Sequence, residues 1–346
     1  LGNGNTTTIE LAEALAARVP VDDPRFLFAS DGAAAVEQAL RIAFQHWTNK
    51  GVTSRTTYLA FDDAYHGDTI GSLSVGAGGF GTDVLDPLRF PCRRTRPLDQ
   101  PGAADEAAAL IAEHRDELAA VVVEPLVQGA AGIRPHPAEA LRTVADACRT
   151  HDVLLIADEV ATGFGRTGTL FACEQAGVRP DLMCLGKGLT AGYLPMAATV
   201  AAGPVHRAFE GPDLSEMTLY HGHSYSGNAL SAAVALRHLS LLDELDVLTK
   251  VTARAEQLAA LLAERIAGLA GVGEVRQQGL MVGIELAPPT DGLRWGRRVT
   301  AATVEQGVLV RPLGDVVVLM PMLTTTAEEA ERIVDAVATA ITDVCA

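Results

Sequence analysis

Two apolar runs, each ending in an ionisable residue, constrain this chain more than anything else in it. Val153-Leu154-Leu155-Ile156-Ala157 is short, branched and uninterrupted, and it ends in Asp158-Glu159. Leu182-Met183-Cys184-Leu185 is of the same kind and ends in Gly186-Lys187-Gly188. Apolar runs without alternation are strands covered on both faces, as in a parallel sheet held between layers of helix. Asp158 and Lys187 then stand at the carboxyl ends of strands, the edge where open α/β sheets bind ligands. Two glycines leave room beside Lys187 for a planar ligand, and desolvation there favours the neutral, nucleophilic amine. A lysine with a buried aspartate is the minimal set for pyridoxal phosphate. The amine forms the Schiff base, and the carboxylate keeps the pyridine nitrogen protonated so that the ring accepts electrons. Taken singly, a lysine after a strand is a solvated loop residue and an aspartate there is a helix cap. The joint pattern points to the cofactor.

The remaining segments supply a sheet for that edge. A Gly/Asn loop, Gly2 to Asn5, precedes the capping-box pattern Thr7-Thr8-Ile9-Glu10 and a helix to about residue 18. Phe26-Leu27-Phe28-Ala29 reads as a strand; Ser30-Asp31-Gly32-Ala33 then turns into a helix with Val36, Leu40, Ala43, Phe44 and Trp47 on one face. Such a turn offers backbone N–H groups to an anion, although it lacks the Walker lysine and the full dinucleotide fingerprint. A strand over 56–60 leads into Asp63 to Thr69, where Tyr65 either stacks on a flat ring or packs in the ordinary way. His66 reads as a hydrogen-bonded structural histidine. A helix over 103–118, a strand over 119–123 ending at Glu124-Pro125, and a helix over 137–150 follow. After Lys187 come a strand over 196–202, a polar loop over 220–228 and a long helix from about Ala229; His221 and His223 have no metal-ligand spacing.

From about Leu245 the texture becomes α+β. A helix passes through Leu258, Leu262 and Ile266, strands lie over 280–286 and 308–310, and a final helix starts near Ala327. The fold class is therefore α/β: a mainly parallel, doubly wound sheet in a large domain, 1–240, and a smaller C-terminal α+β domain, 241–346. The 346 residues suffice for both. With 27 basic against 43 acidic residues the net charge is -16, which argues against nucleic acid or anionic membrane as partner. No apolar run approaches the roughly 20 residues of a bilayer span, and no signal peptide is visible. Five cysteines, odd in number and without CxxC spacing, indicate reduced thiols in a cytoplasmic protein. The chain opens at Leu1 without a methionine, so a preceding N-terminal portion is expected.

Ser30 to Glu37, Tyr65 to Thr69, Asp158 to Gly168 and Gly186-Lys187-Gly188 resemble, in order and over essentially the whole chain, the class III pyridoxal-phosphate aminotransferases of fold type I. Residues 170–174, 180–187, 221–228 and Arg311-Pro312-Leu313-Gly314 are most similar to the subgroup that aminates 8-amino-7-oxononanoate to 7,8-diaminononanoate in biotin synthesis. The alternative is another class III ω-aminotransferase of diamine, ornithine or GABA type. More distant rivals are an aminomutase and a silent interaction module, and the intact Lys187, Asp158 and Tyr65 set argues against the last.

The resemblance implies a role for each motif. Lys187 attaches pyridoxal phosphate and shuttles the proton, Asp158 pairs with the pyridinium, and Tyr65 lines the ring and substrate pocket. Gly32 and Ala33 bind phosphate through their amides. Ala33 stands where relatives often have Ser, and Ser224 where many have Thr; backbone donors and hydroxyl are kept. His223 and Ser224 reach the phosphate of a neighbouring subunit, with Gly222 near substrate, so a homodimer with shared active sites is implied. Arg311 holds the acceptor's carboxylate, and Arg166 and Glu124 lie on the substrate side or directly behind the residues that touch it. The partners implied are a small-molecule amino donor, S-adenosylmethionine or lysine, and a keto acceptor.

Overall fold

The computed structural model describes residues 4–77, 81–287 and 292–345, so that Gly2 and Asn3 of the expected N-terminal loop lie outside the described residues. Helix α1 (Thr6–Ala16) is capped by Asn5. The large sheet follows from β1 (Arg25–Ala29), β2 (Thr57–Phe61), β3 (Arg93–Thr95), β4 (Leu118–Val123), a small hairpin of β5 (Val127–Gln128) and β6 (Arg134–Pro135), then β7 (Leu154–Asp158), β8 (Leu182–Leu185) and β9 (Ala197–Ala201). Between these strands run α2 (Gly32–Asn49), α3 (Ile70–Val75), α4 (Ala103–His114), α5 (Ala138–Thr150) and α6 (Ala172–Ala176), and α7 (Gly203–His206) follows the last of them.

The large sheet has the order β1-β9-β8-β7-β4-β2-β3. Its pairs are parallel from β3 across to β8, and β9 alone runs against both its neighbours. The uninterrupted apolar runs are explained by the way their residues divide. Tyr58, Ala60, Ala120, Val122, Leu154 and Ile156 share a core with Ala35, Val36 and Ala39 of α2. Leu59, Phe61, Val121, Val123, Leu155 and Ala157 share another with Ile111 of α4 and Leu141 and Val144 of α5. Successive strand residues face opposite ways, so a sheet covered by helices on both sides needs an apolar residue at every position. Each fully buried Val, Leu, Ile or Phe side chain among them contributes about 1.5–3 kcal/mol.

Helix α8 (Ala229–Glu244), capped by Asn228, and α9 (Val247–Arg265) are separated by a turn at Asp246, where φ is +47°. The division expected near residue 240 falls inside α8. Next come β10 (Val272–Gln278), β11 (Met281–Leu286), α10 (Trp295–Glu305), β12 (Arg311–Leu313), β13 (Val316–Leu319) and α11 (Ala327–Cys345). The four strands form an antiparallel sheet, β10-β11-β13-β12. Helix α11 packs on both α9 and α10.

Several expectations are corrected here. Phe44 is 44% exposed and leaves the buried face of α2. Residues 308–310 are not a strand: the ladder pairs Arg311 with Val318, Pro312 with Val317 and Leu313 with Val316, which moves the strand to 311–313. The helix expected over 103–118 stops at His114. The hairpin of β5 and β6, β10 and α10 carry periodicity too short or too mixed to be read from sequence.

Candidate active site

The N-terminus of α2 is where the motifs meet. Asp31 caps the helix, its Oδ1 accepting the Ala34 N–H at 2.9 Å. The amides of Gly32 and Ala33 are then the first-turn donors left for an outside acceptor, and the helix dipole favours an anion there. A Cβ on Gly32 would stand 2.7 Å from Val160 Cγ1, and one on Gly186 would stand 3.3 Å from that atom and 3.6 Å from Gly32 Cα. Hence the turn after β7, the turn before Lys187 and the start of α2 pack against one another, and the two glycines are what permit it. The loop bearing Tyr65 reaches the same place: Gly67 has φ +120°, and a Cβ there would collide with that of Ala33.

Asp158 and Glu159 are adjacent and do different things, because one step along a strand reverses the face. Asp158, 5% exposed, follows Ile156 onto the side of α2. Its Oδ2 accepts from His66 Nδ1 at 2.8 Å and its Oδ1 from the Val160 N–H at 3.0 Å. Glu159 serves the opposite layer, accepting from the Cys173 N–H at 2.8 Å and Thr162 Oγ1 at 2.6 Å, and burial pushes its pKa up.

His66 is buried, and a carboxylate only accepts, so Nδ1 carries the shared proton. Burial pulls its pKa down, but the bond to Asp158 and the charges of Asp158 and Glu124 outweigh that and leave it raised. Its Nε2 is buried without a partner among the described residues. Glu124 accepts the Tyr65 N–H at 3.0 Å and the Gly129 N–H at 2.9 Å, and burial raises its pKa to about 7. Tyr65 is 38% exposed, and its hydroxyl donates to Asp68 Oδ2 at 3.1 Å. Burial and then Asp68 raise its pKa, and the charges of Arg311 and Asp158 both reach it.

Lys187 begins a single 3-10 turn, Lys187–Thr190, with φ +38°, a strained value for a residue with a side chain. The side chain is exposed, so the burial expected to activate it is not found within one chain: the turn after β8 carries it to the open edge of the sheet. Gly188 is pinned below it, since a Cβ there would stand 2.9 Å from Phe164 Cβ. Arg311, the first residue of β12, is exposed and has no ion pair or hydrogen bond among the described residues. Arg166 is half-buried; its Nη1 donates to the Pro321 carbonyl at 2.5 Å and its carbonyl accepts from the Leu280 N–H at 3.0 Å, so it joins the two sheets.

Gly222, His223 and Ser224 lie in the loop before α8, with Gly222 and Ser224 exposed. Among the described residues no hydrogen bond links them to Gly32, Ala33, Asp158 or Lys187 of the same chain; His223 Nδ1 accepts the Tyr225 N–H at 3.2 Å. The structure therefore brings Gly32, Ala33, Tyr65, Asp158 and Lys187 together, with Arg311 nearby, and leaves the 222–224 loop apart. Sequence reasoning singled out His66 as a hydrogen-bonded structural histidine and Glu124 as a residue beside or behind the substrate, but missed their partners, Asp158 for the one and the Tyr65 N–H for the other. Their signal was present only as one buried-type polar residue beside Tyr65 and another at a strand end.

Among the described residues no group of three or more His, Cys, Asp or Glu could hold a metal ion, and no helix is long and apolar enough to cross a membrane. The arrangement offers an anion cradle, a buried carboxylate backed by a histidine, an aromatic ring and, among the described residues, an amine and a guanidinium without a partner.

Comparison with known proteins gives a consistent result. The family model described as aminotransferase class-III matches residues 2–341. An adenosylmethionine-8-amino-7-oxononanoate aminotransferase of Nitratidesulfovibrio vulgaris is 46% identical, the match covering 99% of this chain and 67% of that protein. The crystal structure of an enzyme of the same name from Methanocaldococcus jannaschii superposes with a TM-score of 0.96 at 37% identity, over 99% of this chain and 81% of the other. An amine transaminase from an uncultivated Pseudomonas species, in its PLP-bound form, gives 0.93 at 33% identity, over 99% and 82%.

Proposed function

Because this chain belongs to the class-III aminotransferase family, matching it over residues 2–341, we propose that it transfers an amino group to 8-amino-7-oxononanoate to give 7,8-diaminononanoate in biotin synthesis, with pyridoxal phosphate as cofactor. Adenosylmethionine, the donor in the relatives' names, is preferred to lysine. One observation carries the reading: Gly32, Val160 and Gly186 touch at one point, so that an anion cradle, a carboxylate and an amine share one sheet edge. The residues fit the cofactor, with two free amides for a phosphate and a buried carboxylate for a ring N–H.

Pyridoxal phosphate, when bound, supplies a carbonyl for the amine and a ring that withdraws electrons. Gly32 and Ala33 donate their N–H groups to the phosphate. Asp158, held by His66, accepts from the ring nitrogen and keeps the proton on it. The Lys187 amine would hold the cofactor covalently and would move the proton at the substrate carbon. Tyr65 covers the ring, and Glu124 fixes its backbone. Arg166 steadies the wall formed after β13. Gly222 lies near substrate, while His223 and Ser224 reach the phosphate of a second copy, so the working unit is a homodimer with shared sites. Tyr193 is 82% exposed, Tyr225 72% and Leu230 74%, apolar surface that a second copy would cover. The five free cysteines support a cytoplasmic setting.

Arg311 distinguishes this reading from a diamine aminotransferase, whose substrates carry no carboxylate. A lone guanidinium facing an open site is suited to the distant carboxylate of 8-amino-7-oxononanoate. Arg311→Ala should lose about 2–5 kcal/mol of acceptor binding, roughly 30-fold or more in affinity, while the donor half-reaction changes little. Equal losses in both half-reactions would remove Arg311 from the acceptor site.

A further inference from the structure

One stripe of α2 carries a polar residue at every fourth position: Glu37, Arg41, Gln45 and Asn49. That spacing places all four along one face of the helix, away from buried Val36, Leu40, Ala43 and Trp47. Each of the four binds a segment distant in sequence. Glu37 Oε1 accepts from Thr69 Oγ1 at 2.6 Å and from the Gly71 N–H at 2.7 Å, which ties down the end of the loop bearing Tyr65. Gln45 Nε2 donates to the carbonyls of Thr218 at 3.1 Å and Met217 at 3.3 Å, and Asn49 Nδ2 donates to that of Met217 at 3.1 Å. Arg41 makes two bonds, Nη2 to the Tyr220 carbonyl at 3.0 Å and Nη1 to His221 Nδ1 at 2.6 Å. A guanidinium only donates, so His221 Nδ1 accepts and the ring is neutral.

Apart from Leu219, which packs against the core, the segment so held has little else to fix it. Between residues 211 and 227, backbone-to-backbone bonds reach no further than three residues along the chain. The far end is tied by Ser226 Oγ to the Phe28 carbonyl at 2.7 Å and by Asn5 Nδ2 to the Gly227 carbonyl at 3.1 Å. The near end depends on the α2 stripe, and Arg41 is its last member before Gly222, His223 and Ser224.

We propose that Arg41 is a positioning residue for cofactor binding, which clamps Tyr220-His221 so that Gly222, His223 and Ser224 are presented in one conformation. This rests on the reading of His223 and Ser224 as phosphate contacts given above. One helix thereby serves both phosphates: its N-terminus offers Gly32 and Ala33 to its own chain's, and its stripe holds the loop offered to the other's. A loop ordered beforehand spares the binding step the cost of ordering it.

The test compares Arg41→Met, Arg41→Lys and Ser224→Ala in the full chain. Three quantities are read: the dissociation constant for pyridoxal phosphate, amide hydrogen exchange over 217–224 without cofactor, and melting temperature. Arg41→Met should weaken cofactor binding about tenfold and speed exchange over 217–224, with the melting temperature little changed. Arg41→Lys, which keeps one donor, should fall between, and it serves if the Met variant does not fold. Ser224→Ala should weaken binding without faster exchange. If Ser224→Ala loses affinity and neither Arg41 variant does, the clamp is overturned and the phosphate reading stands. If Ser224→Ala binds as the parent does, the phosphate reading itself fails and takes the clamp with it.

Discussion

Glu124 shows how a single buried group ties this site to pH. Its folded-state pKa, about 7, lies above the ordinary carboxyl value of 4.5 because burial disfavours the charge. Between those values the folded chain holds a proton that the unfolded chain has released. The group's contribution is therefore fully present below about 4.5 and lost as pH rises through about 7, a swing on the order of 3 kcal/mol. His66, also raised, acts in the same direction: its contribution is present below its ordinary value and lost as pH rises through the folded one. Glu124→Gln removes the first of these. Melting temperatures measured from about pH 4 to pH 8 should fall less steeply for the variant than for the parent, and parallel curves would show that Glu124 does not carry the dependence.

At the scale of elements, the site depends on how closely three turns approach α2. Gly67 and Gly51 both have positive φ, +120° and +79°, so a side chain strains either one. They differ in surroundings. A Cβ on Gly51 meets nothing within 4 Å, whereas one on Gly67 meets both Cβ and Cα of Ala33. Gly51→Ala should cost about 1 kcal/mol, from backbone strain alone. Gly67→Ala should cost about 3 kcal/mol or more, because the loop bearing Tyr65 and His66 must leave the start of α2. Urea unfolding of the two variants checks the contrast, and equal losses would mean that the contact with Ala33 is slack.

In the whole molecule, one link between the large sheet and the antiparallel one is made by backbone at very short range. Gly279, φ +58°, turns β10 into β11, and a Cβ there would stand 2.5 Å from the Thr167 carbonyl carbon and 2.7 Å from the Arg166 carbonyl oxygen. Those atoms belong to backbone and cannot rotate aside, and next to them the Leu280 N–H donates to the Arg166 carbonyl at 3.0 Å. Gly279→Ala should separate the two parts, so that calorimetry resolves two transitions, the antiparallel sheet with α9, α10 and α11 melting first. A single transition shifted only slightly would show that the core shared across the two sheets holds them without this turn.

What the sequence determined by itself was local. Residues 153–157 and 182–185 read as doubly covered strands because burial on both faces demands an apolar residue at every step, and Asp158 and Lys187 follow as strand-end residues. The start of α2 was legible for the same reason, since a cap and small residues need only their neighbours. What tertiary structure decided was pairing. His66 reaches Asp158 across 92 residues, and Arg41 reaches His221 across 180. No periodicity encodes either, because each depends on which strands and loops lie side by side. Val308-Leu309-Val310 looked like a strand by composition, yet β13 pairs with 311–313, since register is set by the partner. Lys187 was expected to be buried and is exposed in one chain, because exposure is set by what surrounds the end of β8 and not by the glycines beside it.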